Sequence, residues 1–146
     1  MKTAIIEILE RDLKKLSDEI GGYSDEAQIW KTADGINNSA GTLCLHLCGN
    51  LQHFIGAVLG NSGYVRNRDE EFSLKNIPKE KLLKEIETTK QVVRATLEKL
   101  DDETLKKDYP SNILGKIHPA EYFLVHLISH FNYHLGQINY HRRLVK

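Results

Sequence analysis

The sequence predicts an all-α protein built as a four-helix bundle, and three features carry that expectation. Four segments repeat apolar residues at steps of three and four, the period that lines one face of a helix. Polar stretches bearing Gly, Asn, Ser or Pro separate them. No stretch shows the sustained alternation of a half-buried strand. Four helices of roughly 18–26 residues, each with one apolar stripe, bury those stripes most simply against one another. With 146 residues, the chain reads as one domain, 1–146, long enough for a real core.

The first helix spans 3–21, with Ile5, Ile8, Leu9, Asp12, Leu13, Leu16 and Ile20 in phase, and ends at Gly21-Gly22. Residues 23–38 read as a long loop around the lone Trp30. Asn38 or Ser39 then caps a second helix that runs to about Gly60 on Leu43, Leu47, Leu51, Phe54, Ile55 and Val58. Residues 61–77 form a second polar connection. Pro78 suits the first turn of a third helix through Leu82, Leu83, Ile86, Val93, Leu97 and Leu100. Asp101-Asp102-Glu103 can start a short extra turn, and the last helix runs from His118 or Pro119 to about Leu144. The two longest connections, 22–38 and 61–77, exceed what plain up-down neighbours need, so at least one suits a crossover along the bundle.

Composition excludes several functions. Lys plus Arg equals Asp plus Glu at 20 each, so the basic excess of a nucleic-acid binder is missing and no nucleic-acid partner is expected. The opening MKTAIIEILERDLKK starts like a signal peptide, but Glu7 and Glu10 interrupt it, and it reads as an amphipathic helix. No run approaches the ~20 apolar residues that span a bilayer. The expectation is therefore a cytoplasmic protein with no membrane partner. Cys44 and Cys48 stand four apart on one helix, a relation that rarely suits a disulfide, and read as reduced packing residues.

The chemistry concentrates near the C-terminus, where His126, His130, His134 and His141 lie within sixteen residues. At about 100° per residue, all four imidazoles fall within an arc of roughly 80°. His130 and His134 have the H-x-x-x-H spacing that lets two rings on successive turns reach one ion. A third ligand must come from elsewhere. His118 sits more than two turns away at the helix start, whereas His46 and His53 share a face of the second helix and either can meet the fourth across the interior. Imidazole nitrogen suits late first-row divalent metals, and three histidines leave coordination positions open. Zinc or nickel is the expected ion, with iron the alternative. Cys44 and Cys48 point about 200° from His46, which makes them poor ligands.

The segment Gly41-Thr-Leu-Cys-Leu-His46-Leu-Cys-Gly-Asn50, paired with His126-x3-His130-x3-His134-x-Gly136-Gln137-Ile138, resembles the DinB-like superfamily. Asn38-Ser39 and His46-Leu47-Cys48-Gly49-Asn50-Leu51 are similar to a motif of its small uncharacterised members, and the resemblance spans nearly the whole chain. It implies a four-helix bundle of up-down-down-up order, with the metal on His46, His130 and His134. Leu135 stands where many members carry Arg. Because that order makes the second and fourth helices antiparallel, His53 and His126 are expected near each other, one layer from the ion. Asn50, a turn from His46, is expected to bond a metal-bound water or that histidine, or to fix interhelical packing, and Gln137, three beyond His134, to orient a ligand imidazole or to contact a partner subunit. Tyr133 is expected to pack, Trp30 to cap a pocket or staple the loop, and His141 to face solvent or a neighbouring subunit.

Members of the superfamily include thiol-dependent transferases and a maleylpyruvate isomerase that uses a low-molecular-weight thiol. The resemblance therefore implies a metal-dependent enzyme acting on a small-molecule substrate, with a small thiol as cofactor, and a homodimer. Hydrolysis by metal-bound hydroxide would use the same histidines, and a non-catalytic metal-containing stress or binding protein is the further alternative. No general base stands out, since Glu121 lies two and a half turns from His130.

Overall fold

The computed structural model describes residues 1–146 and contains six α-helices and no β-strand. They are α1 (Lys2–Gly21), α2 (Ala40–Leu51), α3 (Arg68–Ser73), α4 (Lys79–Lys99), α5 (Asp102–Lys106) and α6 (Ala120–Leu144). Local chemistry sets their starts. Ser39 Oγ accepts from the Thr42 N–H at 3.1 Å, and Asp101 Oδ1 accepts from the Thr104 N–H at 2.7 Å. Pro78 and Pro119 immediately precede α4 and α6.

The four long helices pack as a closed ring: α1 rests on α4 and α6, and α2 on the same two. Side-chain contacts give their directions. Lys2 Nζ donates to Leu100 O at 2.9 Å and Lys79 Nζ to Gly21 O at 3.3 Å, so α1 and α4 are antiparallel. Asn132 donates to Asp12 at 2.6 Å and Arg142 to Glu19 at 2.7 Å, so α1 and α6 are parallel. The Phe54–Phe123 and His46–His130 ring pairs, at 5.3 and 5.0 Å, make α2 and α6 antiparallel. Gln52 bonds Thr89, Gly56 faces Val92 and Gly60 faces Thr96, so the α2 path runs parallel to α4. Parallel neighbours need a connection that travels their length, and residues 61–77 are that crossover. A single cluster of 29 buried apolar residues fills the ring. Asp12, in phase with the α1 stripe, is fully buried between Arg11 and Asn132.

Past Leu51 the helix widens into a π-helical turn, Gln52–Ala57. The Val58 N–H donates to His53 O and the Leu59 N–H to Ile55 O, which skips the carbonyl of Phe54 between them. A skipped buried carbonyl needs another donor. Tyr109, fully buried and stacked on Phe123 at 3.9 Å, donates its hydroxyl to Phe54 O at 2.7 Å. One residue between α5 and α6 thus pins the widened turn.

The polar connection 61–77 is not merely a loop. It contains α3, started by Asn67 Oδ1 accepting from the Glu70 N–H at 3.2 Å, with Asp69, Glu70 and Glu71 in its first turn. The loop before α2 holds a short 3-10 turn, Glu26–Trp30. Trp30 lies against Gly41, where a Cβ would meet the indole at 2.7 Å, and donates to Ile77 O at 3.3 Å. It staples the loop to α2 and does not line the cavity that His46 and His130 border.

Candidate metal centre

α2 and α6 bring His46, His130 and His134 together, each offering a ligand atom, with those atoms all within 4.8 Å of one another. His46 Nε2 and His130 Nε2 are 3.1 Å apart. The ring centroids of His134 lie 5.4 Å from His46 and 4.7 Å from His130. Two metal–nitrogen bonds of about 2.1 Å span at most about 4.2 Å, so the 3.1 Å separation of His46 Nε2 and His130 Nε2 is within reach of one ion.

The outer nitrogens decide which atoms stay free. His46 Nδ1 lies 3.1 Å from Glu71 Oε1. Burial raises the Glu71 carboxyl, but hydrogen bonds from His46 and Arg66 outweigh it and hold the group below the ordinary carboxylate range. An ionised carboxylate only accepts, so His46 carries a proton on Nδ1. His134 Nδ1 likewise faces Gln137 Oε1 at 2.7 Å. His130 Nδ1 is buried with no partner. Burial, then the neighbouring histidines His134, His46 and His126, push His130 down to about 4. Burial also lowers His134, against the opposing effect of the hydrogen bond it donates to Gln137 Oε1. Both are neutral near pH 7, as a ligand must be.

The 3.1 Å contact between the two Nε2 atoms needs a proton on one of them or a cation shared between the rings. Three imidazoles fit a late first-row divalent ion.

Glu71 is the residue that sequence reasoning missed. It is buried, and Arg66 grips it from the side with Nε to Oε2 at 2.8 Å and Nη2 to Oε1 at 2.9 Å. This fork holds the carboxylate, which holds the ring of His46. Gly49 supplies the room, because a Cβ there would collide with the carboxylate of Glu71. A signal was available in Asn67-Arg-Asp-Glu70, which has the spacing of a helix N-cap followed by acidic residues.

The other expected residues divide. Asn50 is buried beside the histidines with its Oδ1 lacking a hydrogen-bond partner. His126 lines the same cavity as His46, Asn50 and His130, but His53 does not; it packs edge-on against Phe54 at 4.7 Å. Tyr133 was expected to pack and instead is 67% exposed, its ring edge-on to His134 at 5.3 Å. His118 stacks on Tyr122.

His141 corrects the sequence reading most sharply. It was expected at solvent or a subunit boundary, and it is buried, with Nδ1 2.6 Å from Tyr23 Oη and Nε2 2.8 Å from Lys31 O. The carbonyl only accepts, so Nε2 carries the proton and the Tyr23 hydroxyl donates to Nδ1. The loop after α1 folds over the end of α6, which helical phase within α6 cannot reveal.

No helix is long and apolar enough to cross a membrane. No curated protein matches the chain. The family model described as "Protein of unknown function (DUF1572)" matches residues 3–146, and the chain belongs to that family.

Proposed function

We propose that this chain is a DinB-like metalloprotein, a four-helix bundle of up-down-down-up order that holds one divalent ion on His46, His130 and His134. In this reading it is a metal-dependent enzyme of the thiol-dependent transferase or isomerase class, acting on a small-molecule substrate. The observation that carries the reading is the convergence of the three imidazoles, two of them backed by Glu71 and Gln137. The pairwise helix directions support the bundle order.

A bound zinc, nickel or iron ion supplies Lewis acidity, which favours the thiolate form of a small thiol. The chain's own residues prepare the setting. Glu71 with Arg66 orients His46, Gln137 orients His134, and burial keeps His130 and His134 neutral. Cys44 and Cys48 are buried, and a hydrogen bond with Cys48, together with burial, holds the Cys44 thiol well above its ordinary value. The chain's own thiols are therefore unsuited to be nucleophiles. That supports a thiol arriving as a cofactor. A cytoplasmic homodimer completes the proposal; the exposed α6 side chains Tyr122, Val125, Tyr133 and Tyr140 support self-association.

Elemental analysis of untagged protein tests the metal, with one equivalent expected in the wild type and little in His130→Ala. The thiol is tested by titrating cobalt-substituted protein with small thiols, where ligation produces a near-ultraviolet charge-transfer band. A cobalt spectrum that no thiol perturbs overturns the transferase reading.

A further inference from the structure

The cavity beside the histidines has a character that metal binding alone does not require. It measures about 210 Å3, room for roughly seven waters at about 30 Å3 each, so its occupant is small. Phe54, Phe123 and Leu127 give it apolar walls, and His46 and His130 border it. Two charged side chains line it, Arg66 and Arg68, and no acidic residue does.

Those two arginines are not equivalent. Arg66 uses Nε and Nη2 on Glu71, which neutralises its charge and leaves Nη1 free. Arg68 is exposed and in no salt bridge; its guanidinium carbon lies 5.1 Å from the centre of the Phe72 ring. The cavity thus carries one uncompensated positive charge before any ion is counted. Asn50 is the independent observation. At 7% exposure it lines the same cavity, and its Oδ1 has no hydrogen-bond partner. A buried polar atom without a partner is costly, and a ligand that donates to it removes the cost.

We propose that this cavity binds a small organic acid. The carboxylate sits on Arg68 and the free Nη1 of Arg66, the apolar body lies among Phe54, Phe123 and Leu127, and a donor elsewhere on the ligand faces Asn50 Oδ1. The planar fork of a guanidinium matches a carboxylate. A larger hollow of about 380 Å3, between residues 35–38 and the end of α6, has no Asp, Glu, Lys or Arg in its lining and makes no such demand on charge. The assignment deepens the proposed function and rests on it for the acid's role as substrate, but the binding itself does not need the ion.

The test compares benzoate and 4-hydroxybenzoate with their neutral amides by calorimetry. It uses metal-replete protein, chelated protein and Arg68→Gln, with metal content measured separately. At least one acid should bind tenfold or more tightly than its amide. That preference should survive chelation and fall below threefold in Arg68→Gln. The 4-hydroxy compound should bind more tightly than benzoate, and Asn50→Leu should erase the difference. The proposal is overturned if neither acid outbinds its amide or if the preference persists in Arg68→Gln. It is also overturned if chelation abolishes the preference, because the carboxylate then sits on the ion. An advantage of the hydroxyl that survives Asn50→Leu removes Asn50 from the assignment. Protein that holds no metal yet prefers acids defeats the metal reading and leaves this one standing.

Discussion

The carboxylate of Glu71 occupies the space that any side chain at position 49 would fill, so Gly49 on α2 and Glu71 on α3 are mutually dependent. Through that contact a crossover segment reaches the outer nitrogen of His46. Gly49→Ala should displace the carboxylate and weaken metal binding by about 10–100-fold, the usual cost of losing a ligand's outer partner. Glu71→Gln should have an effect in the same direction. Chelator competition reads both, with circular dichroism as the control for folding; unchanged affinity in both variants would remove Glu71 from the site.

Tyr109 and the widened turn of α2 yield a second expectation. Tyr109→Phe removes the only side-chain donor to the carbonyl of Phe54 and leaves that buried oxygen unpartnered. The cost should be about 1–3 kcal/mol in urea denaturation. A loss well under 0.5 kcal/mol would mean that water serves the carbonyl instead.

His141 separates stability from metal binding. His141→Ala strands the buried Tyr23 hydroxyl and removes the donor to Lys31 O, and should lower stability by about 1–3 kcal/mol. Its metal content should equal that of the wild type. Loss of metal in this variant would show that the end of α6 cannot be altered independently of the site.

Acid titration should expose the link between α1 and α6. Burial raises the Glu19 carboxyl, but hydrogen bonds from Arg142 and Asn139 more than offset that and hold it below its ordinary value. A carboxyl depressed in the folded state contributes stability above its unfolded value, near 4.3, and that contribution is lost as pH falls through the folded value. Glu19→Gln should therefore lose stability near pH 7 and show a shallower decline towards pH 3. Parallel stability curves for variant and wild type would contradict this.

The exposed aromatic face of α6 predicts self-association. Tyr133 and Tyr140, 67% and 61% exposed, stand seven residues apart on one side. Light scattering at micromolar concentration should return twice the monomer mass of 16.7 kDa, and Tyr133→Glu should shift it towards the monomer. A monomeric wild type would reject the interface.

What the sequence by itself determined was local and periodic. Apolar steps of three and four marked the four long helices, and Ser39, Pro78 and Pro119 marked their starts, because capping and helical phase are written within a few residues. The phase of His130 and His134 was legible for the same reason, and the family resemblance singled out His46. The tertiary structure decided what depends on contacts between distant segments. Glu71 lies 25 residues from His46 and Tyr23 118 residues from His141. No period connects residues so far apart; they meet because the crossover and the loop after α1 fold back over α2 and α6. The widened turn at Gln52–Ala57 belongs there too, since its skipped carbonyl is satisfied by Tyr109, 55 residues on. Helical phase tells which way a side chain points, and only the packed fold decides what it points at.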